Sequence, residues 1–184
     1  MVWKCALITG GAKGLGKAFT RLLVKQNKIV YIADCDERAL AETAKEIGAA
    51  GHFLVDLTNQ SKLVTFAEKV LKSPTLIVWS TMLEFSKSFT VSLRDQLRST
   101  NVKVVEIAPP LVQSDLHQHQ DSKFKDFVKS NNITPLTQDE WIVALEKGLD
   151  EGLDEVGAGF SQICIYKWRE TFGSIHAQLS TAKP

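Results

Sequence analysis

The run Thr9-Gly10-Gly11-Ala12-Lys13-Gly14-Leu15-Gly16 concentrates the residue types most suited to chemistry in this chain. It joins an apolar stretch to an amphipathic one, so it reads as the turn between a strand and a helix. Binding a pyrophosphate there needs a tight turn, close approach by the backbone, and N–H groups at a helix start. Glycine meets the first two demands because it lacks Cβ, and the helix start meets the third. Eighteen residues beyond Gly16 stands Asp34, at the end of a second apolar run. A carboxylate there can accept both hydroxyls of an adenosine ribose and repels a 2′-phosphate, which favours NAD over NADP. Lys13 acts in the opposite sense, since a cation in the loop can meet a phosphate. The plain alternative is a glycine-rich loop with a solvated Asp. The strand before, the helix after and the acid at this distance together favour the dinucleotide.

Other chemistry-bearing groups are sparser. His117 and His119 with Asp115 and Asp121 form the one cluster resembling metal ligands, and their polar surroundings read as a loop. Lys123, Lys125 and Lys129 read as a solvated helix face. The three cysteines, Cys5, Cys35 and Cys164, are odd in number and widely spaced, without C-x-x-C. They fit reduced thiols, with Cys5 and Cys35 packed in or beside strands. The tryptophans read as core or helix-packing residues.

Composition is that of a soluble globular chain, 44% hydrophobic and 23% charged over 184 residues. Twenty-two Lys and Arg against 21 Asp and Glu leave no excess of charge to suggest a nucleic-acid partner or an anionic membrane. No apolar run approaches the ~18 residues of a membrane span. The sequence enters a strand without a charged-then-apolar leader, which points to a cytoplasmic protein.

The elements that must position the loop alternate regularly. Val2–Thr9, Lys28–Asp34 and His52–Val55 read as strands, and Leu15–Gln26, Glu37–Ile47 and Thr58–Lys72 as helices. Thr75–Ser80 and Val102–Ile107 continue the strands, with Leu83–Arg98 a helix between them; Pro109 and Pro110 stop the last strand. Beyond lie a short helix at Phe124–Val128, capping-box spacing at Thr137–Glu140, a short strand in Glu155–Ser161, and a C-terminal helix. An apolar stripe of Trp168, Phe172, Ile175 and Leu179 marks that helix. The order predicts one α/β domain over residues 1–184, doubly wound and Rossmann-like, with a mostly parallel sheet and helices on both faces.

TGGAKGLG, Asp34, and the Val55-Asp56-Leu57-Thr58 after the third strand together resemble the short-chain dehydrogenase/reductase family. The likeness resumes at Ser88–Ser114, similar to the family's long helix, sixth strand and following loop, and again from Thr137 through Leu179. It implies a nicotinamide dinucleotide cofactor and a small alcohol or carbonyl substrate. It adds Asp56 and Leu57 beside the adenine, and Val112 and Ser114 near the nicotinamide end, although Pro110 stands where the family has Gly.

The same resemblance exposes a gap. The family transfers hydride beside a tyrosine acid/base assisted by the lysine of Y-x-x-x-K, with a serine steadying the substrate oxygen. This chain has two tyrosines, Tyr31 and Tyr166. The first is too early and the second too late, with Glu170 four positions on. The N-N-A-G run after the fourth strand is also absent. One alignment puts Trp79 and Leu83 at the tyrosine and lysine positions. The other puts Thr81 in the serine place with the tyrosine–lysine segment lost, and fits better because TLIVWS reads as strand. Either way the segment Lys72–Ser88 lacks one strand–helix unit and the proton relay. The helix Thr58–Lys72 can still cross over, keeping a strand order 3-2-1-4-5-6 within reach. A face left uncovered by the loss would favour oligomers.

These readings predict an NAD-binding protein with impaired oxidoreductase chemistry. The alternatives are an active oxidoreductase using Ser80 or Thr81 with water, or an interaction module on the same scaffold.

Overall fold

The computed structural model describes residues 4–57, 102–113 and 122–175, together with 59, 66, 90–91, 94–95, 97–100 and 178. The chain divides into two compact units, Met1–Ile107 and Ala108–Pro184.

The first unit begins with β1, Cys5–Thr9, whose residues are all buried, as an apolar run in a parallel sheet should be. The helix α1, Gly14–Lys25, follows and buries Gly16, Phe19, Thr20 and Leu23 at helical spacing. The strand β2, Ile29–Asp34, returns parallel to β1, pairing Cys5 with Ile29 through Thr9 with Ala33. The helix α2, Glu37–Ile47, is capped by Asp36, whose carboxylate accepts the Ala39 N–H. It ends at Gly48, whose φ of 77° closes the last turn in a conformation that favours glycine. The strand β3, Gly51–Leu54, then pairs parallel with β2 from Tyr31–Gly51 to Asp34–Leu54.

The sheet order is therefore β1-β2-β3, the 3-2-1 half of the expected sheet. Parallel strands joined through helices are what the alternation of apolar runs and amphipathic segments predicts. Lys17 and Arg21 on α1 both reach Glu46 on α2, tying the two helices together on their outer side. Leu7, Ala33, Val55, Leu97 and Val104 form one core cluster, with Tyr31, Phe53, Leu57, Phe66 and Val102 packed around it. Each large side chain buried there stabilises the fold by roughly 1.5–3 kcal/mol.

Residues 102–105 are not strand, so the expected strand at Val102–Ile107 is displaced to β4, Glu106–Ala108. The Arg94 guanidinium donates to the Val104 carbonyl at 3.0 Å. The strand still ends where Pro109 follows. The strand β5, Glu155–Gly157, belongs to the second unit. The predicted helix Thr58–Lys72 is described only at Phe66, and the predicted strand Thr75–Ser80 lies outside the described residues.

In the second unit α3, Ser122–Ser130, buries none of its residues, whereas α4, Gln138–Asp150, buries Trp141, Leu145, Gly148 and Leu149. A Cβ on Gly148 would lie 2.6 Å from a Val156 methyl, so glycine lets α4 approach β5 closely. The predicted strand Glu155–Ser161 is cut short. Gly159, at φ 54°, turns the chain into α5, Phe160–Trp168, and Ser161 is spent donating its hydroxyl to the Ala108 carbonyl. The expected apolar stripe on the last helix is not a buried one: Phe172 and Ile175 are each 53% exposed, and a π-helical turn, Arg169–Gly173, interrupts the helical spacing. Leu179 lies outside the described residues.

Candidate functional site

The glycine loop lies between β1 and α1. Gly10 and Gly14 take φ values of 68° and 52°, a region where a side chain is strained. The Gly10 N–H donates to the Ala33 carbonyl at 2.7 Å, which anchors the loop to the end of β2. Gly16 is set by contact as much as by conformation. A Cβ there would stand 2.0 Å from the Gly10 carbonyl oxygen, so α1 rests directly on the backbone of its own loop. Thr43 of α2 donates its hydroxyl to the Ala12 carbonyl, and Thr20 donates to the Gly16 carbonyl; both threonines are buried. Thus α2 braces the loop through Thr43, a side chain that carries no signal at the level of motif, while the Thr20 bond lies within α1.

The start of α1 differs from the starts of α2 and α4. It has no side-chain cap and no acid in its first turn, a condition shared with α5. In α2 Asp36 and in α4 Thr137 fill that place. An uncapped helix start carries partial positive charge and N–H donors suited to an anion. Gly14 is exposed there and Leu15 half-buried. Open backbone beside an uncapped helix start fits a pyrophosphate.

Asp34 comes to the same place. One carboxylate oxygen accepts the Ala12 N–H at 3.1 Å; the other accepts those of Cys35 at 2.8 Å and Asp36 at 3.2 Å. The acid is therefore fixed at the edge of the glycine loop by backbone donors, which fill three of its roughly four acceptor sites and leave one on Oδ2 for a ligand. Lys13 does not stand alone: its ammonium donates to Asp36 at 2.5 Å. That bond holds the lysine above its ordinary pKa and the Asp36 carboxyl below its own. Sequence reasoning gave Asp36 no role, although its place directly before Glu37 is a helix-cap signal.

The other expected site residues are less gathered. Asp56 is exposed just after β3, and its carbonyl accepts the Asn59 N–H. Leu57 packs against the core cluster of the first unit. In the second unit Val112 is buried and bridged to Leu136, with the Gln113 N–H donating to Leu136 and the Leu136 N–H to Leu111. Ser114, Ser80, Thr81, Trp79 and Leu83 lie outside the described residues, as do His117 and His119 with Asp115 and Asp121.

Both tyrosines are accounted for. The Tyr31 ring packs 6.0 Å from that of Phe53 and lies over Gly51, in the first unit's aromatic cluster. Tyr166 is 64% exposed on α5. Cys5 is buried as expected, but Cys35 is exposed, because β2 ends one residue earlier and the chain turns to begin α2. Among the described residues no helix is long and apolar enough to cross a membrane.

Comparison with known proteins gives this geometry a context. Residues 4–79 match the family model described as short chain dehydrogenase. Sorbitol dehydrogenase of Cereibacter sphaeroides is 44% identical over 61 residues, covering 33% of this chain and 24% of that protein. The chain thus spans about a quarter of that relative's length. A short-chain dehydrogenase/reductase from Burkholderia phymatum, solved in complex with NAD, superimposes with a TM-score of 0.60 at 13% identity, covering 94% of this chain and 95% of the other. A short-chain dehydrogenase from Sphingobium yanoikuyae, solved in complex with NADPH, gives 0.59 at 13% identity, covering 98% and 97%. At such identity the likeness is one of fold.

Proposed function

We propose that this chain, whose residues 4–79 match the family model described as short chain dehydrogenase, binds a nicotinamide dinucleotide and turns it over poorly or not at all. The observation that carries the binding half is the contact between Gly16 and Gly10, which leaves the loop backbone bare where a pyrophosphate approaches. Gly10, Gly14, Leu15 and Gly16 hold the phosphates, Asp34 the adenosine ribose. The family resemblance extends the site to Asp56 and Leu57 at the adenine and to Val112 and Ser114 toward the nicotinamide. On this reading the two units act as one domain over residues 1–184, in the cytoplasm.

NAD is favoured over NADP. Asp34 is fixed in place by three backbone N–H groups, and a negative charge held there disfavours a 2′-phosphate. Lys13, the one loop cation, is engaged by Asp36.

The chemistry a bound dinucleotide supplies is hydride transfer to or from a small alcohol or carbonyl compound. That chemistry needs a proton donor or acceptor of suitable pKa beside the reacting oxygen. Tyr31 is committed to packing and Tyr166 is exposed without a lysine four positions on. Trp79 and Leu83 cannot exchange protons, and Thr81 is a poor acid. Impaired turnover follows.

The test is a fluorescence titration with NADH paired with progress curves over a panel of alcohols and ketones. Saturable binding without turnover is expected. Turnover that is lost in Thr81→Ala would replace this reading with that of an active oxidoreductase, and absence of binding at millimolar NADH would leave an interaction module.

A further inference from the structure

Asp36 uses the two oxygens of one carboxylate for two different purposes. Oδ1 accepts the Ala39 N–H at 3.0 Å and caps α2, while Oδ2 accepts from the Lys13 ammonium at 2.5 Å. The cap fixes where the carboxylate stands, and the carboxylate then fixes where the lysine points. Lys13 needs such direction: its side chain is 68% exposed, on a long flexible stem at the residue preceding α1. Two positions before Asp36 lies Asp34, locked to the loop by backbone donors.

A cation at the glycine loop beside the ribose acid is the natural partner for a phosphate on the adenosine 2′ oxygen, since an ammonium and a phosphate form a strong charge-assisted hydrogen bond. Here that ammonium already has a carboxylate. Resting on the reading of this loop as a dinucleotide site, we propose that Asp36 is a specificity-determining positioning residue: by holding Lys13, it withholds the loop's cation from the adenosine 2′ position and sharpens the discrimination against 2′-phosphorylated dinucleotides beyond what Asp34 provides. A 2′-phosphate must then draw the lysine off Asp36 as well as approach Asp34. Exposed pairs of this kind are breakable, so the effect is a modest bias and not a block.

Asp36→Asn and Asp36→Ser test this, because Asn and Ser cap a helix about as well as Asp and keep the start of α2. NADH and NADPH are titrated separately against the full chain by fluorescence, and the ratio of their Kd values is read. In both variants the NADPH-to-NADH ratio falls by about two- to fivefold at low salt, and the change shrinks as salt is added. The same substitutions made on Lys13→Met leave the ratio unchanged. A ratio that does not move in either variant, or that falls equally in the Lys13→Met background, overturns the proposal. If the unsubstituted chain binds neither nucleotide, the dinucleotide reading itself fails and this inference fails with it.

Discussion

Within the glycine loop the decisive quantity is a distance: a methyl group on Gly16 would meet the Gly10 carbonyl oxygen at 2.0 Å. Neither atom belongs to a flexible side chain, so α1 or the loop must move. Gly16→Ala should therefore lower stability by about 1–3 kcal/mol, read as a drop in the urea midpoint. This demand is legible in the sequence, because glycines set between an apolar run and a helix mark a turn whose backbone is closely approached. Asp34 is legible by its spacing. The groups that brace the loop are not. Thr43 reaches Ala12 across 31 positions and Lys13 reaches Asp36 across 23. Pairings of that range exist only once α1, β2 and α2 are assembled. Cys35 reads as packed yet is exposed for a related reason: whether a residue at a strand end faces the core depends on where the next helix begins.

Among the elements, those written in local chemistry are the legible ones. The span Glu37–Ile47 matches α2 in full, with Asp36 and Gly48 as its caps. The spacing Thr137–Glu140 is a complete capping box, the Thr137 hydroxyl accepting the Glu140 N–H and the Glu140 carboxylate accepting the Thr137 N–H. Thr137→Ala should cost about 1 kcal/mol. The box also carries a pH signature. The Thr137 N–H, and next its hydroxyl, hold the Glu140 carboxyl below its ordinary value of 4.5. A carboxyl depressed on folding stabilises the fold above its unfolded pKa and loses that contribution as pH falls through the folded value. The stability difference between the unsubstituted chain and Glu140→Ala should thus be flat at neutral pH, begin to shrink as pH falls past about 4.5 and go on shrinking through the lower folded-state value, as urea titrations at several pH values would show.

The elements least legible in the sequence depend on partners distant along the chain. The strand expected at Val102–Ile107 starts only at Glu106, and the Val104 carbonyl before it accepts the Arg94 guanidinium. The strand expected at Glu155–Ser161 stops at Gly157 because Gly159 turns the chain. Close approach of α4 to β5 likewise has no sequence mark beyond Gly148 itself. Gly148→Ala should destabilise by about 1–3 kcal/mol, and Val156→Ala, by clearing the methyl 2.6 Å away, should reduce the loss. Two additive losses in the double variant would show that the contact is not the cause.

Over the whole molecule, the first unit holds the cofactor signature and the parallel β1-β2-β3 sheet, and it is here that sequence and structure agree most fully. On the proposed reading neither tyrosine supplies a proton relay, so binding is expected without efficient turnover. Everything proposed for it stands or falls on the glycine loop as a dinucleotide site. Calorimetric titration of NAD into the full chain, run beside Gly16→Ala at a temperature where both are folded, tests that claim most directly. Saturable heat with one nucleotide per chain is predicted, lost or strongly weakened in Gly16→Ala. Equal binding by both chains, or no heat of binding at millimolar NAD, would contradict it.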